Sequence, residues 1–428
     1  SDIKKLYRKF LIASMGSTLA MSIYAFVDAI AVGRSEGPAG AAAMAVITPL
    51  YGMLIFLGIL CGIGGSVLMS EAKGAGQEEK GNAYFTAALI LMISLAAVFW
   101  IVLGLFHRQI FTFFGADANT LPKVMEYAQW LIRFFPVFVM PTFISSFIRN
   151  DGVPGLAMGA VITGGLVNMF GDWFLVFPMG MGIEGAAIAT VIGNSLQTVI
   201  MCSHFFRSKC HLRLVKPNRV FLAIRETLTI GISASVLELG NIVLAIILNN
   251  QMMNYGGAAA LSVYGVIATI SSLIQSLYSG VGQAIQPLVS SNFGAGQQER
   301  IRSVLRMSML TVIVMGVLFT GIGELFPKQI IGLFMEATPK VLAIAPTMIR
   351  LYFLLFLLLG VTVLATYYLQ SIMCFQMSMA IAILRSVVVS GLLLFILPLF
   401  FDLTGVLIAM PLSELIVAAI AVVYVNEK

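Results

Sequence analysis

The sequence predicts an all-α integral membrane protein of twelve transmembrane helices, built as two related six-helix halves. Three observations carry this. Hydrophobic residues make up 59% of the chain and charged residues 10%, and the mean hydropathy is +0.99, more apolar surface than a soluble core needs. Apolar runs of about 20 residues recur from end to end, each long enough to cross a bilayer as a helix. Finally, Gly74-Ala75-Gly76-Gln77-Glu78-Glu79-Lys80 returns as Gly294-Ala295-Gly296-Gln297-Gln298-Glu299-Arg300, about 220 residues later. Leu105-Phe106 with Gln109-Ile110 returns as Leu325-Phe326 with Gln329-Ile330 at the same offset. Pro122-Lys123-Val124 returns as Pro339-Lys340-Val341 after a small deletion. Three matches in one register mark an internal duplication, the signature of transporters built from two repeats.

In chain order the spans fall at 10–33, 44–69, 82–105, 127–148, 155–178, 185–206, 224–250, 259–290, 303–323, 341–370, 376–399 and 403–425. The first is followed by further spans and by no small-residue cleavage site, so it reads as a helix and not a signal peptide. Strand-like alternation is absent, which excludes a membrane β-barrel. Pro136 and Pro141 interrupt the fourth span, Pro49 stands near the start of the second and Pro287 near the end of the eighth. Gly58, Gly62, Gly64 and Gly65 weaken the second, and all are expected bend points. The two GAGQ turns join spans 2–3 and 8–9. The only long polar connection is the basic stretch around Pro217. The expected division is an N-lobe (1–206), a linker (207–223) and a C-lobe (224–428). If the N-terminus is cytoplasmic, Lys and Arg divide about 17 inside to 7 outside. That ratio places both termini in the cytoplasm. The net charge of +6 follows from this topology and is not a nucleic-acid footprint.

Ionisable groups inside spans are costly and each needs a reason. Tyr24 and Asp28 stand four apart in the first span, on one face. Asn168 and Asp172 repeat that spacing in the fifth, which is rich in small residues that let helices approach closely: Gly155, Gly159, Gly164, Gly165 and Gly171. Thr190 follows in the sixth span, after Gly185-Ala186. If spans 1, 5 and 6 adjoin, these residues form an oxygen-rich cluster with the Ala186 carbonyl. Such a cluster suits a small hard cation, or a carboxyl pair of which one member keeps a proton. The plainer reading, an acid that bonds nearby backbone, is weaker for two acids together. Glu238 and Asn241 in the seventh span, with Gln275 and Tyr278 in the eighth, are candidates for a cavity wall. Met21, Phe26, Met169, Phe170 and Trp173 flank the polar residues; as cavity residues they would offer flexible sulfur and aromatic faces, though such residues more often pack. Arg385 is expected to pair structurally, and Glu414 to sit near a helix start.

Several chemistries find no support. Cys61, Cys202, Cys210 and Cys374 have no metal-site spacing. The GAGQ turns lack a following GKS or GKT and a preceding strand, so they do not cradle phosphate. With no ATPase motif, energy is expected from an ion gradient. No nucleophile–His–acid constellation stands out, and His107, His204 and His211 lie at span ends or in loops. The chain is therefore not expected to be an enzyme or to need a cofactor.

Together these residues resemble the multidrug and toxic compound extrusion (MATE) family. The resemblance spans nearly the whole chain. It rests on six plus six spans, on Val27-Asp28 followed by Val32-Gly33, on the twin Gly-Ala-Gly-Gln turns, and on Arg149-Asn150-Asp151-Gly152. It implies two bundles around a central V-shaped cavity and antiport of drugs against Na⁺ or H⁺. The family's N-lobe cation site in DinF-type members matches Asp28, Asn168, Asp172 and Thr190 residue for residue, with Tyr24 beside it. A second, NorM-like branch has an essential Asp in helix 10, and span 341–370 has no acid. The Arg149–Gly152 loop leans towards the MepA-like bacterial branch. Glu238 resembles the family's helix 7 glutamate.

The leading expectation is a monomeric, cation-coupled exporter of amphipathic, mostly cationic organic compounds. It would work by alternating access, with no ATPase partner. The competing reading is a lipid-linked oligosaccharide flippase or a dedicated metabolite exporter of the same superfamily. A flippase cavity should carry several Arg or Lys residues for pyrophosphate, and only Arg385 lies deep in a span.

Overall fold

The backbone is helical almost throughout, and no strand occurs among the described residues. The computed structural model describes residues 3–151, 153–208, 210–372 and 374–426; Gly152, Lys209 and Lys428, used above, lie outside them. The helices are α1 (Ile3–Gly74), α2 (Glu78–Phe113), α3 (Leu121–Arg133), α4 (Phe135–Asn150), α5 (Pro154–Val176), α6 (Gly182–Cys202), α7 (Val220–Gly294), α8 (Gln298–Leu325), α9 (Pro327–Phe334), α10 (Pro339–Phe353), α11 (Phe356–Ser371), α12 (Phe375–Ile383), α13 (Val389–Ile396) and α14 (Pro398–Asn426). A π-helical turn, Leu384–Val388, joins α12 to α13.

Among the described residues, nine helices are long and apolar enough to cross a membrane, and the bent pair α3–α4 makes a tenth. Two of the ten are of double length. The first breaks at Gly37 (φ 63°) and the second at Gly257 (φ 68°), so the spans number twelve. The loops expected between spans 1 and 2 and between spans 7 and 8 are thus reduced to a single glycine. Only glycine takes that backbone region without strain, and Pro38 is preset for the first turn of the helix that follows. The fourth span breaks at Phe134 and bends by 59°, with Pro136 in the first turn of α4; Pro141 stays inside α4. The tenth span, expected as one helix, breaks at Leu354-Leu355, where there is neither glycine nor proline.

The duplication is written in the backbone as well as the sequence. Gly37 and Gly257 stand at the repeat offset. So do Gly76 (φ 76°) and Gly296 (φ 67°) in the GAGQ turns, and the distorted residues Phe106 (φ −118°) and Phe326 (φ −125°).

The chain packs as two compact units, whose borders do not fall at the expected linker. One unit is Val46–Val243; the other is Ser1–Ala45 with Leu244–Lys428. By packing, each unit contains the opening helix of the other repeat. In the discontinuous unit, Tyr7 Oη lies 3.0 Å from Thr311 Oγ1, and Ser22 Oγ donates to Ser276 Oγ at 2.6 Å. Arg34 Nε donates to the Leu333 carbonyl at 2.9 Å. In the continuous unit, α7 begins against α1 and α2. Tyr84 Oη donates to Glu226 Oε2 at 2.5 Å, and a Cβ at Gly231 would run into the Leu60 carbonyl. Close backbone approach of this kind is what small residues provide in membranes.

Arg385 finds the structural partner expected of it. Its Nε lies 2.7 Å from Glu414 Oε1, and the other Glu414 oxygen accepts from Thr362 Oγ1 at 2.7 Å. Glu414 does not sit at a helix start: it lies in the middle of α14 with its side chain 2% exposed, so it needs this cation. Removing one member strands the other charge, at a cost of about 3–5 kcal/mol, whereas replacing both with apolar residues is often neutral. Glu414→Ala is therefore expected to lower the melting temperature in detergent far more than Arg385→Met combined with Glu414→Leu. Equal losses would show that the pair does not act as a unit.

Candidate functional site: a buried polar group between α5 and α6

The site begins with glycine. A Cβ at Gly164 would stand 2.7 Å from the Gly193 carbonyl, and one at Gly193 would meet the Gly164 carbonyl at the same distance. One at Gly171 would stand 2.8 Å from Ala189 Cβ. These positions let α5 and α6 cross nearly backbone to backbone, which brings Asn168 against Thr190. Asn168 Nδ2 donates to Thr190 Oγ1 at 3.2 Å, and Thr190 Oγ1 donates to the Ala186 carbonyl at 2.9 Å. Tyr127 Oη lies 3.2 Å from Thr190 Oγ1, and Tyr51 Oη 2.7 Å from Tyr127 Oη. With the Thr190 proton on Ala186, Tyr127 must donate to Thr190 and Tyr51 to Tyr127. The chain of hydroxyls then has one direction.

Asp172 lies one turn beyond Asn168 and is fully buried, at 0% exposure. A carboxyl in that setting demands compensation. Asn168 Oδ1 is buried and accepts no hydrogen bond among the described residues. Carboxylate, amide, hydroxyl and carbonyl oxygens are the donors that a small hard cation selects. The sequence-derived residues Asn168, Thr190 and Ala186 are thus brought together within the continuous unit, with Asp172 one helical turn along α5 from Asn168. Asp28 and Tyr24 belong to the other unit, on α1, where Asp28 is buried at 6% exposure.

The cavity candidates divide. Glu238 is half-buried on α7; Asn241 hydrogen-bonds its carboxylate, and its Oε1 would stand 3.4 Å from a Cβ at Gly52, next in sequence to Tyr51. Gln275 and Met169 are half-buried. The Met21 side chain lies outside what is described. Two candidates are corrected. Tyr278 does not line a cavity: it is fully buried, and its hydroxyl donates to the Phe356 carbonyl at 2.8 Å. Phe170 is 63% exposed and stacks on Phe174, on the face of α5 opposite Asn168. Sequence reasoning passed over Tyr51 and Tyr127. Their signal is a phenol in an apolar helix, which when buried needs a polar partner.

Two repeats of six spans around buried polar groups define a polytopic membrane transporter. The sequence pattern of the MatE family matches residues 13–174 and again 234–396, once in each repeat. The chain belongs to that family, the multidrug and toxic compound extrusion transporters. It is 24% identical over 430 residues to the multidrug export protein MepA of Staphylococcus aureus (strain NCTC 8325 / PS 47), covering 99% of this chain and 94% of the relative. The MepA of Staphylococcus saprophyticus matches with the same identity and coverage. Among solved structures, the inward-facing conformation of a multidrug resistance MATE family transporter of the MOP superfamily is similar, with a TM-score of 0.85 and 20% identity. It covers 94% of this chain and 93% of that one.

Thr190 is the junction of the group. Thr190→Val keeps the shape but removes the acceptor of the Asn168 amide and ends the hydroxyl run at Tyr127, at a cost of about 1–3 kcal/mol. Tyr127→Phe removes one donor to Thr190 and the contact with the half-buried Tyr51 hydroxyl, and is expected to cost about 1 kcal/mol. Thermal melts in detergent should rank the two in that order; a T190V protein that melts like wild type would refute the arrangement.

Proposed function

We propose that the chain is a cation-coupled antiporter that exports amphipathic, mostly cationic organic compounds by alternating access. Both termini are cytoplasmic and the working unit is a monomer. The observation that carries the reading is the fully buried Asp172, one helical turn from the Asn168 that bonds Thr190 and, through it, the Ala186 carbonyl. Asp28, with Tyr24 one turn before it on α1, is a further buried acid. Na⁺ or H⁺ would be held at such a carboxyl and the oxygens beside it. Ion binding favours one conformation and organic-cation binding the other, so ion entry drives substrate exit. The multidrug export in the names of the staphylococcal relatives supports the same substrate class. Against a pyrophosphate-carrying lipid, the deep cation Arg385 is already committed to Glu414.

Purified protein in liposomes, with a fluorescent organic cation inside, tests this directly. An imposed Na⁺ gradient or pH gradient should drive dye flux in wild type, and the effective gradient names the ion. Asp172→Asn and Asp28→Asn should each lose gradient-driven flux by about tenfold or more at normal expression, a loss of at least about 1.4 kcal/mol in coupling. Undiminished flux in both variants would remove the site, and no flux with several dyes would favour a dedicated metabolite exporter.

A further inference from the structure

Asp151, which follows α4, is a further buried acid of the continuous unit, outside the group around Asn168 and Thr190. Its side chain is 2% exposed. His204 Nε2 lies 2.8 Å from Oδ2, and His204 is itself fully buried, in the turn after α6. The backbone N–H of His211 donates to the same oxygen at 3.0 Å. Around Oδ1 stand His211 Nδ1 and Lys73 Nζ, each at 3.6 Å. Cys210 completes the set: one donor atom each from Asp151, His204 and Cys210 lie within 4.8 Å of one another.

A carboxylate at this position is already served by a lysine and a backbone amide. It does not need two imidazoles and a thiol. Oxygen, nitrogen and sulfur donors converging on one point are the ligand set of a borderline-soft divalent ion. Bonds of about 2.0–2.3 Å place neighbouring ligand atoms roughly 3.3–3.8 Å apart, so closing the present cluster takes a movement of about 1 Å. Two further features fit. His204 Nδ1 is buried and makes no hydrogen bond among the described residues, so half of this imidazole is uncommitted. The Cys210 thiol makes only a 3.7 Å contact to the Leu212 carbonyl. A cavity of about 320 Å³ reaches Cys210 and His211, with Glu78, Glu79 and Arg213 in its lining.

The cluster also has a mechanical place. Cys210 and His211 belong to the extended connection between α6 and α7. That connection already lies along the unit: Arg213 N donates to Asn82 Oδ1 at 3.2 Å, Val215 N to Thr86 Oγ1 at 3.1 Å, and Lys73 Nζ to the His211 carbonyl at 2.9 Å. We propose that Asp151, His204 and Cys210, with His211 as fourth donor, form a structural site for a divalent transition metal of the Zn²⁺ class. The metal would staple the connection to the ends of α4 and α6. It is distinct from the coupling-ion group: the donors include sulfur and nitrogen, which Na⁺ does not select.

The test uses full-length protein carrying a tag without histidines. Bound metal is counted by mass spectrometry, and Co²⁺ titration reports a cobalt–thiolate absorption band. Wild type should hold about one Zn²⁺ per chain and develop the band with Co²⁺. Cys210→Ser should lose the band and weaken binding by about tenfold or more, since even supporting residues of metal sites cost about 10–100-fold. His211→Ala should weaken binding while keeping the band, and Cys374→Ser should behave as wild type. In wild type alone, Zn²⁺ should slow maleimide labelling of Cys210 and raise the melting temperature, a readout that does not depend on any variant folding. No band in wild type, or a band undiminished in Cys210→Ser, would overturn the site. So would unchanged labelling of Cys210 in saturating Zn²⁺.

Discussion

The near-backbone crossing of α5 and α6 at Gly164 and Gly193 is the contact on which the polar chemistry depends. Inside a bilayer each amide, hydroxyl and carboxyl must find its partner within the protein. A side chain at either glycine would push the helices apart and take Asn168 out of reach of Thr190. The hydroxyl of Thr190 would then keep Tyr127 as its donor and lose Asn168, and the run from Tyr51 through Tyr127 would no longer reach α5. Small residues here do more than pack. They set the distance at which a buried acid has oxygens for neighbours instead of methyl groups.

The two repeats share geometry but not chemistry. Breaks at Gly37 and Gly257 and turns at Gly76 and Gly296 recur at one offset. The buried charges do not. In one unit an acid is balanced internally, Glu414 by Arg385 and Thr362. In the other, Asp172 is grouped with an amide and a hydroxyl. A compensated pair has little reason to exchange its partners.

How far the sequence reaches follows from what periodicity contains. The spans are legible because a bilayer demands about 20 apolar residues from each. The bend at Phe134 is legible from Pro136. The break at Leu354-Leu355 is not, because those residues favour helix and only packing can interrupt them there. The connections at Gly37 and Gly257 are read as loops, since nothing local says that one residue suffices. Asn168, Asp172, Thr190 and Ala186 are legible because a span makes polar residues conspicuous and helical spacing groups them. Tyr51 and Tyr127 are not, since a tyrosine in a span is as apolar as it is polar until burial is known. The assignment of residues 1–45 to the unit of the second repeat is equally hidden: amphipathic spacing says which face is buried and is silent about the partner. Asp151 shows the same limit, for His204 and Cys210 come to it from more than fifty residues away along the chain.

Within the continuous unit, the start of α7 and the polar group are parts of one packed series. The connection that carries Cys210 and His211 leads into α7. Glu226 on its first turns holds Tyr84, Gly231 lies against the Leu60 backbone, and Glu238 lies against Gly52. Tyr51, next to Gly52, begins the hydroxyl run to Thr190 and Ala186. The steps are an ionic hydrogen bond, a backbone approach that excludes a Cβ, and hydroxyl contacts of 2.7–3.2 Å. Interiors packed in this way transmit displacement because their members cannot compress. The connection and the hydroxyl run therefore both reach the first part of α7, between Val220 and Glu238.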